Sequence, residues 1–171
     1  MRSNGNMTQW TGGYPSEETI RADIDAGVGY VVEEADEEGL EDVGTSEDDQ
    51  EAADGNVVET SCPGKAAVGY FALIPGIEKT YLEIEGGRWT DDDTAYCTIH
   101  RLGSTKASRG VARACFEWSW DQCRNLRIDT HEDNGIMRHC IEKFGFAYCG
   151  VIRLEDGSPR LAYQKVHLVF R

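Results

Sequence analysis

The stretch IHRLGSTKASRGVARACFEW, residues 99–118, decides the fold. Residues 96–102 favour a β-strand, and the pattern from about residue 110 to residue 123 predicts an α-helix with a broad apolar surface. A strand that leads through a turn of small residues into a helix presents unpaired backbone N–H groups at the positive end of the helix dipole. Gly110 and Ala112 leave room for a ligand close to that backbone. The stretch therefore predicts a site for an anion such as a pyrophosphate.

The segments on either side of this stretch predict a mixed α/β domain. Helices are expected at residues 16–26, where Ser16 is a suitable N-cap, and at residues 135–144, where Gly145 stops the helix. Trp118 and Trp120 have helical spacing and are expected in the core. Strands are expected at residues 29–32, 66–74, 81–84, 126–130, 147–154 and 161–169. Alternating strands and helices that end in a hairpin indicate a mixed sheet with helices on its faces.

Length and charge are consistent with one domain and argue against a nucleic-acid binder. The 171 residues, 40% of them hydrophobic, are enough for a single domain with a full core over residues 1–171. Residues 33–55 hold 12 of the 31 acidic residues and no Lys or Arg, and we expect them to form a disordered acidic insertion. Without these acids the formal net charge of −14 would be −2. A basic patch large enough for nucleic acid is missing from the sequence.

Targeting signals and cysteine spacing predict a cytoplasmic protein. No run of about 18 apolar residues is present, so no membrane span is expected, and residues 1–6 lack the apolar core of a signal peptide. The cysteines form no CxxC pair and have no histidine at zinc-finger spacing, so we expect reduced thiols and no metal site. They are Cys62, Cys97, Cys115, Cys123, Cys140 and Cys149.

The order of motifs from residue 99 to the closing hairpin resembles the core of a GNAT-superfamily N-acetyltransferase. The motifs are residues 99–118, LRIDTHEDN at residues 126–134 and IMRHCIEKFGF at residues 136–146. The resemblance covers roughly residues 29–166 without the acidic insertion. It implies a mixed, mostly antiparallel central sheet flanked by helices, with the family's first strand missing or truncated. It also implies transfer of an acetyl group from acetyl-CoA to an amine.

The same resemblance implies which residues bind acetyl-CoA. The backbone of residues 102–104 would pair with the pantetheine arm, the loop at residues 107–112 would hold the pyrophosphate, and Asn134 would lie near the acetyl end. Ala107 replaces the family's usual Gln or Arg, a loss for which Lys106, Arg109 or Arg113 would compensate. The full set is Leu102, Gly103, Ser104, Ala107, Ser108, Arg109, Gly110, Val111, Ala112, Arg113 and Asn134.

The catalytic groups are less well defined. Ile141 stands where many members carry a tyrosine that protonates the leaving thiolate, so the acid must come from elsewhere or be water. His100 is the first candidate for the general base, because its ordinary pKa of about 6.5 suits the deprotonation of an amine. Tyr96 lies on the same strand face, and Asp129 lies on the partner strand. The alternative for His100 is a hydrogen bond within the sheet core.

The acceptor pocket is expected to form from three regions of the chain. Trp10 and Tyr14 precede the first helix, His131 follows the strand at residues 126–130, and Arg160 and Tyr163 lie at the closing hairpin. The alternative for Trp10 and Tyr14 is packing of the first helix onto the sheet. A missing first strand would leave a sheet edge open, which would favour a homodimer.

Three functions remain open from the sequence. The first is an acetyltransferase acting on a primary amine, with a small-molecule acceptor favoured by the short chain. The second is a non-catalytic acyl-CoA-binding regulatory domain, which Ala107 and Ile141 keep possible. The third is a nucleotide-binding module unrelated to CoA, with Asp129 near the position of a ribose-binding acid.

Overall fold

The computed structural model describes residues 15–34, 66–105 and 108–167. Four predictions concern residues outside these ranges: the pocket residues Trp10 and Tyr14, most of the acidic insertion, the loop residues Lys106 and Ala107, and the missing first strand. Cys62 also lies outside them, and the other five cysteines are free thiols. Among the described residues, no helix is long and apolar enough to cross a membrane.

Three helices and six strands make up the described part of the chain. The helices are α1 (Glu17–Asp25), α2 (Val111–Gln122) and α3 (Gly135–Lys143). The strands are β1 (Gly29–Glu33), β2 (Ala67–Pro75), β3 (Cys97–Ser104), β4 (Asn125–Thr130), β5 (Ala147–Arg153) and β6 (Pro159–Val166). They form one sheet in the order β1-β2-β3-β4-β6-β5, antiparallel except between β3 and β4. The predicted mixed, mostly antiparallel fold is confirmed.

Local sequence signals set the helix ends as expected. Ser16 Oγ accepts a hydrogen bond from Thr19 N at 3.1 Å and caps α1. Asn134 Oδ1 accepts from Met137 N at 3.2 Å and caps α3. Gly145, with φ of +91°, follows the end of α3, where a residue with a Cβ would be strained.

The strand predicted at residues 81–84 is wrong. Residues Lys79–Tyr81 form a 3₁₀ turn instead, and only Glu85 forms an isolated bridge, to Val151 of β5. The Glu78 side chain caps this turn by accepting from Thr80 N at 3.3 Å. The alternating pattern was misleading because Tyr81 is buried beneath the turn rather than on a sheet face, while Leu82 is exposed.

The two faces of the sheet are covered differently. α2 and α3 pack on one face, where Phe71, Ile99 and Ile128 meet Phe116 of α2 and Ile141 of α3 in the main core. The opposite face carries α1 and the segment between β2 and β3. A smaller core beneath that segment contains Tyr81, Trp89, Cys149, Ile152 and Ala162.

The predicted burial of the two helix tryptophans is only partly correct. Trp120 packs against the main core, but Trp118 keeps 38% of its surface exposed. Trp118 lies at the margin of α2, where its ring contacts Tyr30 of the edge strand β1 at 4.3 Å and Phe71 at 5.7 Å. Among the described residues β1 is the edge strand and is short, so no further strand covers the indole there.

Candidate functional site

The parallel strands β3 and β4 pair over three residues and then separate. Cys97 to Ile99 pair with Leu126 to Ile128, but β3 continues to Ser104 and β4 to Thr130. We call the gap between residues 100–104 and residues 129–130 the β3/β4 opening. Along it, in the described part of the chain, the β4-facing edge of β3 has no strand partner. Such an edge has backbone groups available for an extended ligand.

A β-bulge accompanies the separation of the strands. Ala72 of β2 lies opposite His100 and Tyr70 lies opposite Gly103, so Arg101 and Leu102 together oppose Phe71. Arg101 has φ of +57°, a conformation that L-residues rarely adopt. A bulge bends the strand that contains the extra residue. It also places Leu102 in the main core, on the face opposite His100.

A buried ion pair holds the bulge. Arg101 donates to Asp23 of α1 through Nε at 2.7 Å and through Nη2 at 2.6 Å, and Tyr70 Oη donates to the same carboxylate at 2.8 Å. Burial and the hydrogen bond to Asp23 raise the pKa of Tyr70, so its phenol stays protonated. The sequence analysis did not identify this network. It fixes α1 to the bend in β3.

The predicted anion site lies at the start of α2. Gly110 is the N-cap with φ of +84° and supplies no side-chain cap, so among the described residues no capping side chain occupies the first N–H groups of the helix. Ala114 N bonds to Gly110 O at 2.9 Å, which begins the regular helical pattern. A Cβ at Gly69 of β2 would overlap Val111 Cγ1, so this glycine permits the close approach of α2 to the sheet. The arrangement suits a diphosphate.

The remaining predicted cofactor residues surround this helix start and the opening. Gly103 and Ser104 pair with β2 on one side and border the opening on the other. Ser108 Oγ lies 2.8 Å from Thr105 Oγ1, Arg109 is exposed, and Arg113 forms an exposed ion pair with Glu117 at 2.7 Å. The opening and the uncapped helix adjoin the same end of β3, so these residues fit an extended arm that ends in a diphosphate.

His100 forms an acid–base pair that the sequence did not reveal. Its Nε2 lies 3.2 Å from Glu78 Oε2, and the two side chains are 20% and 27% exposed. The hydrogen bond from His100 is the main cause that lowers the pKa of Glu78 to about 2. An ionised carboxylate only accepts hydrogen bonds, so Nε2 carries the proton of the neutral ring and Nδ1 carries the lone pair. The contact with Glu78 fixes the orientation of the His100 ring.

Tyr96 supports this pair. Its Oη accepts a hydrogen bond from Glu78 N at 3.0 Å, and its ring lies 3.8 Å from the buried Arg127 guanidinium. The other side of Arg127 faces Trp89 at 4.1 Å, and Arg127 Nη2 donates to Asp91 O at 2.9 Å. This stack holds the segment before β3 against the sheet. The structure thus places Tyr96 behind Glu78 rather than beside the opening.

Asp129 lies on the other side of the opening. Tyr81 Oη donates to Asp129 Oδ1 at 2.7 Å, and burial raises the pKa of this phenol, so it remains a donor. The Tyr81 ring lies 6.1 Å from the His100 ring, and Arg160 Nε lies 3.9 Å from Asp129 Oδ2. We call Glu78, Tyr81, His100, Asp129 and Arg160 the His100 cluster.

Two predicted pocket residues lie apart from the His100 cluster. Tyr163 is on the opposite face of the sheet from Arg160, because the two positions are three apart along β6, and its Oη contacts Glu142 of α3 at 3.3 Å. His131 follows β4, and its Nδ1 accepts from Asp133 N at 3.2 Å. Ile141 is fully buried in the main core. The side chain at position 141 therefore supplies no proton donor.

Comparison with known structures identifies the fold. No family model matches the sequence, and no curated protein does. The crystal structure of a GNAT-family acetyltransferase from Streptococcus agalactiae 2603 is similar over 98% of this chain and 82% of its own, with 29% identity and a TM-score of 0.72. A GNAT-family acetyltransferase from Bacillus cereus ATCC 10987 shares the fold over 89% of this chain and 79% of its own, with 16% identity and a TM-score of 0.50.

These similarities define the class of fold. The six-stranded sheet, its separated parallel strands and the likeness over nearly the whole chain show that the protein has the fold of GNAT-family acetyltransferases. The likeness supports an acetyl-CoA-dependent acyltransferase.

Proposed function

We propose that this enzyme transfers an acetyl group from acetyl-CoA to the primary amine of a small molecule. The observation that carries the proposal is the position of His100. It is the first residue of β3 beyond the parallel pairing with β4, and its ring is oriented by Glu78. A base at the mouth of an opening that suits the pantetheine arm would meet an amine where the acetyl group is delivered.

The residues proposed to hold acetyl-CoA are those that the resemblance implies, and the geometry of the opening supports them. The backbone of residues 102–104 would pair with the pantetheine arm, and the first N–H groups of α2 would bind the pyrophosphate. Arg109 and Arg113, both exposed near that helix start, would add positive charge. Acetyl-CoA would supply the thioester from which the acetyl group is taken.

The base in this proposal is His100 Nδ1. An amine enters as an ammonium ion, loses a proton to Nδ1 and then attacks the thioester carbonyl directly, with both substrates bound. The new C–N bond forms, the C–S bond breaks and the thiolate leaves, and the nitrogen gives up its second proton to water so that the product is a neutral amide. Glu78 already accepts a hydrogen bond from Nε2 and would hold the ring in this orientation as Nδ1 takes the proton.

The leaving thiolate needs little help in this site. A CoA thiolate is a reasonable leaving group, and the positive end of α2 favours negative charge nearby. With Ile141 buried in the core, the proton for the thiolate would come from water.

Isothermal titration with acetyl-CoA, CoA and NAD in separate experiments tests the cofactor. We expect micromolar binding of acetyl-CoA and CoA and none of NAD. A screen of primary amines with detection of free thiol then tests transfer. Absence of acetyl-CoA binding would refute the proposal, and binding of NAD alone would favour a nucleotide-binding module.

Ile141 is the observation that favours a second candidate, a domain that binds acyl-CoA without catalysis. Tight binding of acetyl-CoA with no thiol release across the amine screen would support this alternative.

A further inference from the structure

Arg160 has hydrogen-bonding capacity that the fold leaves unused. Its side chain is only 15% exposed, and it lies on the same face of the sheet as Tyr81 and Asp129. Nη1 donates to Pro159 O at 2.9 Å and to Ser158 Oγ at 3.3 Å. Nε is 3.9 Å from Asp129 Oδ2, too far for a hydrogen bond, and Nη2 has no hydrogen-bond partner in the described residues.

Two other buried arginines on this face are engaged by the protein itself. Arg101 forms a two-pronged ion pair with Asp23, and Arg127 is enclosed between Trp89 and Tyr96. Removing a guanidinium from water costs folding free energy unless the group is paired with an opposite charge and hydrogen-bonded. Arg160 is therefore the one of these three whose planar N–H groups are arranged to receive an anion from outside the chain.

The charges around the opening set the chemistry of that anion. Glu78 and Asp129 are carboxylates near His100, and Arg160 lies beyond Asp129. An acceptor with an ammonium group at the carboxylates and an anion at Arg160 would match this alternation. Carboxylates are the planar anions that pair with arginine through two parallel hydrogen bonds.

We infer that the acceptor is an amino carboxylate, a small molecule with both a primary amine and a carboxylate that Arg160 binds. The inference rests on the proposed acetyl transfer and specifies its substrate class. Transfer to such a molecule follows the same chemistry: the amine loses a proton to His100, the C–N bond forms and the thioester C–S bond breaks. Arg160 takes no proton and acts only in binding.

Matched acceptors test the inference. Glycine, β-alanine and 4-aminobutyrate vary the distance between amine and carboxylate, and their carboxamides remove the negative charge. We expect kcat/KM, corrected for the fraction of unprotonated amine, to be at least about tenfold higher for the best carboxylate than for its amide. Arg160→Gln should bring the carboxylate-to-amide ratio of kcat/KM near one, chiefly by raising KM for the carboxylate.

Two further variants separate binding from folding. Arg153→Gln removes an exposed arginine of the neighbouring strand β5, paired with Glu85, and should leave the ratio unchanged. Arg160→Lys keeps the charge without the planar fork and should give an intermediate ratio. If Arg160→Gln is unstable, the Arg160→Lys ratio decides the question.

The outcomes are distinct from those of the proposed function. Absence of acetyl-CoA binding by titration refutes the acetyl transfer itself. If acetyl-CoA binds, three results would overturn the inference alone. Carboxylates and amides could react at equal rates, or Arg160→Gln could lower kcat/KM equally for both. The third such result is no turnover of any amino carboxylate.

Discussion

Glu78 Oε2 and His100 Nε2 lie 3.2 Å apart, although the two residues are 22 positions apart in the chain. Glu78 sits in the segment after β2, and His100 sits where β3 leaves β4. The carboxylate fixes which ring nitrogen carries the proton and leaves Nδ1 free to accept one. The sequence identified His100 only as a candidate general base, and the contact with Glu78 defines its tautomer and ring orientation.

Replacing His100 by Gln should lower turnover by about 10²–10⁴-fold, the usual contribution of a general base. Affinity for acetyl-CoA should stay unchanged, because in the proposed arrangement the side chain faces the acceptor rather than the diphosphate. Steady-state kinetics and titration on the same preparation measure both quantities. His139→Gln on the exposed side of α3 is the matched control and should behave as the wild type. Unaltered turnover and pH–rate profile in His100→Gln would rule out the base.

Replacing Glu78 by Gln should change how stability depends on pH. The folded pKa of about 2 lies below the ordinary value of 4.5, so between these values the unfolded chain binds more protons than the folded one. The stabilising contribution of Glu78 is therefore present above pH 4.5 and is lost as pH falls towards 2. Urea unfolding at several pH values should show a shallower decline for Glu78→Gln in this window. Parallel curves for the two proteins would contradict the low pKa.

Replacing Asp23 by Asn should destabilise the fold by about 3–5 kcal/mol, because it leaves the Arg101 guanidinium buried without its counter-charge. Asp23 and Arg101 are 10% and 12% exposed. Asp25→Asn, an exposed acid of the same helix, should change stability by less than about 0.5 kcal/mol. Urea unfolding at pH 7 compares the three proteins, and similar midpoints would show that the ion pair does not hold the bulge.

Replacing Arg113 by Glu should weaken acetyl-CoA binding by about tenfold at low salt, since the change reverses a charge in the first turn of α2. The side chain is 78% exposed, so the fold should tolerate the change. Arg124→Glu makes the same charge change just beyond the other end of α2 and should bind normally. The difference should shrink as salt rises. Equal weakening in both variants would point to net charge rather than to the helix start.

Sequence reasoning predicted the elements whose signals are local. The cap Ser16, the helix stop at Gly145, the strand-to-helix turn at Gly110 and the central strands were all evident. It failed at residues 81–84, where alternation suggested a strand. The predicted acceptor pocket included both Tyr163 and Arg160. Their positions are three apart on one strand, and this odd spacing already placed the two side chains on opposite faces of the sheet.

The rest of the candidate site had no local signal. Glu78 follows a Pro-Gly turn, and nothing in its neighbours indicates a contact with His100. The bulge at Arg101 also breaks the two-residue period, so that Leu102 enters the main core and His100 does not. Only a register between two strands reveals such an extra residue.

The sequence by itself determined the order of the helices and the sheet strands, the strand-to-helix turn at Gly110 and the candidacy of His100, because periodicity, caps and glycine turns act within a few residues. Only the tertiary structure decided that β3 and β4 separate after three pairs and that Asp23 holds the bend. It alone brought Glu78, Tyr81 and Asp129 to His100. Those relationships depend on strand register and on packing between distant segments, which local patterns do not encode.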